Sequence, residues 1–133
     1  MFSNTFLGCT SLKDIPANLF SGVSGAANYM FDATFRSCIG LTSVPSTLFS
    51  GVTTVAPYMF RNTFASCSGI KSIPVDLFAN AKGTPGAYAF NGLFNAATGI
   101  TKFVDATGNT VSTYIPKKFF GGLEQPANYN VNM

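Results

Sequence analysis

The sequence predicts an α/β repeat solenoid of four stacked units, each a short helix, a short strand and a second short helix, with a β-hairpin inserted in the last. Three observations lead there. The opening stretch MFSNTFLGCTSLKDIPANLFSGV returns as MFDATFRSCIGLTSVPSTLFSGV at residue 30 and as MFRNTFASCSGIKSIPVDLFANA at residue 59. Apolar residues inside each copy fall at helical spacing, followed by a β-branched segment and then a Pro-initiated one. A unit of this size cannot bury its own apolar face, so neighbours must share one core.

The repeat is legible column by column. Phe6, Phe35, Phe64 and Phe94 are one position in successive units, and Cys9, Cys38 and Cys67 another, each 29 residues apart and followed by Ala97 in the fourth. Leu12, Leu41, Ile70 and Ile100 form a third column. Ile15-Pro16, Val44-Pro45 and Ile73-Pro74 form the next, then Leu19-Phe20, Leu48-Phe49 and Leu77-Phe78, with Tyr29, Tyr58 and Tyr88 closing each unit. The chain reads as one domain of units at about 1–29, 30–58, 59–88 and 89–129. An insertion at about 102–114 lengthens the last, after which Ile115-Pro116, Phe119-Phe120 and Tyr129 resume the columns. The opening MFSNTF sits in phase with MFDATF and MFRNTF, so Met1 reads as a repeat residue and the chain as a segment of a longer protein.

Each element has its own signal. In YMFDATFRSC, Phe31, Phe35 and Cys38 lie at i, i+4 and i+7, a helical spacing. GLTSV is short, partly β-branched and bounded by Gly and Pro, so it reads as a strand that pairs in parallel with its copy in the next unit. PSTLFSGV begins with Pro, favoured at the first helical position, and closes near Gly, favoured just past the last. In the insertion, FVDA and TVSTY flank TGN, with turn residues where a hairpin needs them. The expected core is Phe6, Phe35, Phe64, Phe94, Cys9, Cys38, Cys67, Leu12, Leu41, Ile70 and Ile100.

The motif F-x-x-C-x-x-L-x-x-I-P, with L-F following, resembles the BspA-type leucine-rich repeat of bacterial surface proteins, over residues 1 to about 129. The unit here is longer and carries the additional LFSGV segment. The resemblance implies a leucine-rich-repeat-like, right-handed stack in a secreted or surface-displayed protein. It implies partners on a host, matrix or neighbouring cell.

Composition narrows the function. Nearly half of the 133 residues are hydrophobic and 10% are charged, which excludes a charge-solvated disordered chain. No apolar run approaches the roughly 18 residues of a membrane span, and Met1 opens no signal peptide. The net charge of +3 is dispersed, with Lys117-Lys118 the only adjacent basic pair, so no nucleic-acid surface is expected. There is no His, and Asp14, Asp32, Asp76, Asp105 and Glu124 are scattered, which argues against acid–base catalysis.

The tempting chemical motifs dissolve on inspection. The cysteines share one repeated position beside phenylalanine, without a C-x-x-C or a His, and read as buried thiols rather than a disulfide or metal site. Ser68-Gly69-Ile70-Lys71 matches S-x-x-K, yet the other copies read TSLK, IGLT and TGIT, and no partner motif follows. Asp105, Thr107 and Asn109 suggest a calcium loop but lack its glycine and late glutamate. No catalytic residue, metal or cofactor is therefore expected.

What remains is a surface. Lys13, Thr42, Lys71 and Thr101 follow the inward Leu or Ile and should line one exposed ladder. Ser3, Asp32, Arg61 and Asn91, and likewise Leu7, Arg36, Ala65 and Asn95, vary and read as outward positions. The insertion adds Lys102, Phe103, Asp105, Asn109 and Tyr114 to the candidate binding face, since insertions in repeat arrays cluster on one side. It could equally cap the stack. The expected function is a non-enzymatic, surface-exposed interaction or adhesion module for a protein or glycan partner. The alternative is a structural module whose units stack end to end with copies of itself into a fibre or larger extracellular or virion assembly.

Overall fold

A computed structural model describes residues 1–124. It overturns the helix–strand–helix solenoid. The described chain contains no α-helix; its one helical element is a single 3-10 turn at Lys117–Phe120. Strands are few and short: β1 (Ser72–Pro74), β2 (Lys82–Gly83), β3 (Lys102–Val104), β4 (Thr110–Ser112) and β5 (Gly122–Leu123). Most of the chain is turns. The expected return of Tyr129 to its column lies outside the described residues.

The segment read as a helix shows why. A helix needs each N–H to reach the carbonyl four residues back. Here the N–H groups alternate between two other destinations. Phe31, Ala33, Phe35 and Ser37 donate to Met59, Arg61, Thr63 and Ala65 of the next unit, at 2.8–2.9 Å. Asp32, Thr34, Arg36 and Cys38 donate three residues back, at 3.1–3.2 Å. The same alternation recurs around residues 2–9 and 58–67. Every fourth residue takes a left-handed conformation: Tyr29, Ala33 and Ser37 have φ of 60°, 55° and 62°, and Tyr58, Asn62 and Ser66 repeat the series. The turns thus recur every four residues. That period, not 3.6, is what spaces Phe31 from Phe35. The Pro-initiated segment behaves likewise, with Leu48, Ser50 and Val52 each donating three residues back.

Left-handed backbone costs an ordinary residue about 1–2 kcal/mol, and stacking between units offsets it. Phe6, Phe35 and Phe64 lie face to face at 5.4 and 5.5 Å, within 4° of parallel. Phe2, Phe31, Phe60 and Phe90 form a second column at 5.3–5.5 Å. Phe20, Phe49 and Phe78 form a third, which meets the second edge-on: Phe49 sits 4.9 Å from both Phe31 and Phe60. Buried polar groups are satisfied across the same seams. Thr34 and Thr63 hydroxyls donate to the Phe2 and Phe31 carbonyls at 2.9 Å, and the Cys38 and Cys67 thiols to those of Phe6 and Phe35 at 3.0 Å. The approach is close enough that a Cβ at Gly69 would stand 2.5 Å from the Ile39 carbonyl oxygen, so only glycine fits.

The expected strand pairing forms in one place. β1 pairs in parallel with β3, placing Ile73 beside Phe103, and β2 pairs in parallel with β5. Between the first two units the equivalent segment keeps a bond from Thr42 N–H to the Lys13 carbonyl, without a strand. β3 turns back on β4 as an antiparallel hairpin with a register shift between Phe103 and Val104.

Several positions depart from expectation. Cys9 is exposed, and Phe6 and Leu12 are only half-buried. The Cys38 and Cys67 thiols point back at the preceding unit, a contact that Cys9 does not make among the described residues. Phe103, expected on the binding face, is buried against Phe94 and Phe119, because β3 is an inner strand of its sheet. Asp32, expected to face outward, is buried.

Phe64 is fully buried and stacked on both sides. Phe64→Ala should lower stability by about 3–5 kcal/mol, as an unrelaxed core cavity does. Urea unfolding of the variant checks this; a loss under about 1 kcal/mol would place the ring outside the load of the core.

Candidate functional site

The surface with the most built-in order was not among the expected ones. Tyr29, Tyr58 and Tyr88 stand at left-handed turn positions with φ of 60°, 57° and 56°, which throws their side chains out of the core. They stack on one another at 4.7 and 5.4 Å, within 7° and 19° of parallel. Tyr29 and Tyr88 remain 40% and 45% exposed, so the ladder is a surface feature.

An ion pair braces it. Arg61 holds Asp32 of the preceding unit with two parallel bonds, Nε to Oδ1 at 3.0 Å and Nη2 to Oδ2 at 2.9 Å. Its guanidinium lies 5.2 Å from the Tyr29 ring centre and 5.5 Å from that of Tyr58. The hydrogen bond to Asp32 raises the Arg61 pKa against the opposing effect of burial, so the group is a permanent cation. Both partners sit in one column of adjacent units, so stacking brings the charges together. The Tyr29, Tyr58 and Arg61 side chains therefore hold one another in place, which limits their rotamer freedom.

None of the four residues expected to form an exposed strand ladder lies in a strand. Lys13, Thr42, Lys71 and Thr101 are all exposed, and the Thr101 N–H and hydroxyl donate to the Lys71 carbonyl at 3.0 and 3.4 Å. Lys102 is half-buried. At the hairpin tip, Asp105 Oδ1 accepts from the Thr107 N–H and hydroxyl and from the Asn109 N–H, at 2.7–3.0 Å. These donors, the Thr107 hydroxyl first, hold the Asp105 carboxyl below its ordinary range. The carboxylate is thus engaged in shaping the turn. Val111 and Tyr114 project from the hairpin, Tyr114 at 72% exposure. Asn109 is exposed and spans the loop through its bond to Thr107 at 3.1 Å.

No group of three or more metal-ligating side chains is found among the described residues. No described helix is long and apolar enough to cross a membrane. No known protein family, curated protein or solved structure matches this chain.

The tyrosine ladder could have been found from sequence. One tyrosine closes three successive units, and Asp32 and Arg61 are opposite charges one unit apart in one column. What hid the ladder was the assumption of a helix, in which the tyrosine merely marks a boundary.

The thiols give a direct check on burial. Burial pushes Cys67 up to about 12 and raises Cys38 as well, because a thiolate would lose its hydration. A thiolate-requiring reagent should label Cys9 first and Cys67 last. Between pH 9.0 and about 12 the folded chain holds the Cys67 proton that the unfolded chain releases. That stability is complete below the lower value and is lost as pH rises through the window. Urea midpoints measured across this range should fall; a flat profile would mean the thiol is hydrated.

Proposed function

We propose that this chain is a non-enzymatic interaction module that binds a protein partner, working outside the cell or at its surface. The tyrosine ladder with Arg61 is the principal contact, and the Lys13–Thr42–Lys71–Thr101 face and the hairpin are secondary surfaces. The observation that carries this reading is the pre-ordered stack of exposed tyrosines braced by the Asp32–Arg61 pair. Tyr and Arg dominate the energetics of protein interfaces, because they bury large rigid area while keeping a polar end. A ladder whose rings face one another exposes edges and hydroxyls, which suits a mixed polar and apolar protein surface better than the flat stacking of a sugar ring.

Two considerations support the remaining parts. The absence of His and the dispersal of the carboxylates leave no acid–base pair, which supports a binding role. The extracellular setting is what the resemblance to the BspA-type leucine-rich repeat implies.

The test is a screen of the labelled chain against arrayed cell-surface protein domains, with arrayed glycans alongside. Binding to a protein should fall about tenfold or more in the double variant Tyr29→Ser with Tyr58→Ser, the size of a hot-spot loss. Unchanged affinity in that variant would move the contact off the ladder. Hits confined to glycans would overturn the partner class, and chemical turnover of a hit would overturn the non-enzymatic reading.

A further inference from the structure

Two interior units hold a pair of phenols face to face. The Tyr29 and Tyr58 ring centres are 4.7 Å apart, with planes 7° from parallel. That is the close end of the range of about 4.5–7 Å in which aromatic pairs sit. The next pair in the ladder, Tyr58 and Tyr88, is looser, at 5.4 Å and 19°. Tyr29 is exposed and Tyr58 is half-buried, so solvent reaches both. Arg61 lies against the same two rings and is itself fixed by Asp32, which keeps the pair in register.

Competing electron donors are few. The chain contains no Trp and no His. Cys38 and Cys67 are buried, with their thiols donating to the Phe6 and Phe35 carbonyls. Met30 and Met59, which follow the two tyrosines in sequence, are buried as well. A one-electron oxidant arriving from solvent therefore meets phenols, or the exposed thiol of Cys9.

We propose that Tyr29 and Tyr58 are an oxidative coupling site, closed to a dityrosine by hydrogen peroxide with an oxidant of the haem peroxidase class. Each phenol gives up one electron and one proton and becomes a phenoxyl radical. Radical density lies on the ring carbons beside the oxygen, and a bond forms between one such carbon of each ring. Each joined carbon then passes its proton to its own ring's oxygen, which restores two phenols. The two electrons and two protons removed reduce one peroxide to two waters.

The stack supplies what this step needs. Parallel rings bring the reacting faces together without an encounter, the advantage a held pair has over two free reactants. Once joined, the rings open out of the stack towards solvent. The bond ties the second unit to the third along the ladder. The site belongs to the ladder itself, whichever partner the ladder meets.

A haem peroxidase with limiting peroxide, acting on the dilute folded chain with Cys9 alkylated beforehand, tests this. Free tyrosine in a parallel reaction shows that the oxidant is active. Blue dityrosine fluorescence should appear in the monomer fraction of a sizing column. Peptide mass spectrometry should find the Tyr29 and Tyr58 peptides joined, with the loss of two hydrogens. The yield should fall about tenfold in urea, where only chance encounters remain. Tyr58→Phe keeps the stacked ring but cannot form a phenoxyl radical, and it should remove the monomer product. Tyr114→Phe should leave that product unchanged. A monomer product that joins any other pair overturns the proposal. So does coupling only between chains, an equal yield in urea, or no coupling while free tyrosine couples.

Discussion

Everything in this structure follows from where alternate backbone N–H groups go. Around residues 2–9, 29–38 and 58–67, half of them close turns inside their own unit and the other half leave it for the carbonyls of the next. A unit so built cannot satisfy its backbone alone, and an unpaired buried N–H costs as much as a lost hydrogen bond. Stacking is therefore the condition under which the turns exist at all. The left-handed residues at every fourth position persist because the neighbouring unit over-determines them.

Side chains enforce the same spacing. Phenylalanine rings stack at 5.3–5.5 Å between the same neighbouring units that the hydrogen-bond seams join. The seams tolerate little else: Gly69 is tied to its place by a carbonyl, and Thr63 and Cys67 by donors that reach the unit behind. Towards the fourth unit the geometry loosens. Phe64 and Phe94 sit 6.1 Å apart and 19° from parallel, and Phe78 meets Phe119 edge-on. There short strands, the hairpin and the 3-10 turn take over part of the pairing.

A rigid repeat makes a rigid surface. The tyrosines are ordered by the backbone conformation beneath them and by the Asp32–Arg61 pair, not by a ligand.

The sequence by itself determined the period, the columns and the identity of most of the core. Phe35, Phe64, Cys38, Cys67, Leu41 and Ile70 are buried because a recurring apolar position must face the shared interior. It also held the turn chemistry of DATGN, where Asp105 caps its own loop. It did not determine the local conformation, because a spacing of four residues serves a chain of turns as well as a helix, and only the destination of the N–H groups separates them. That destination is the neighbouring unit, a contact 28 or 29 residues away that no local pattern encodes. The same long-range contact decided that Asp32 is buried against Arg61, that Phe103 turns inward, and that three tyrosines marking the ends of units become one continuous surface.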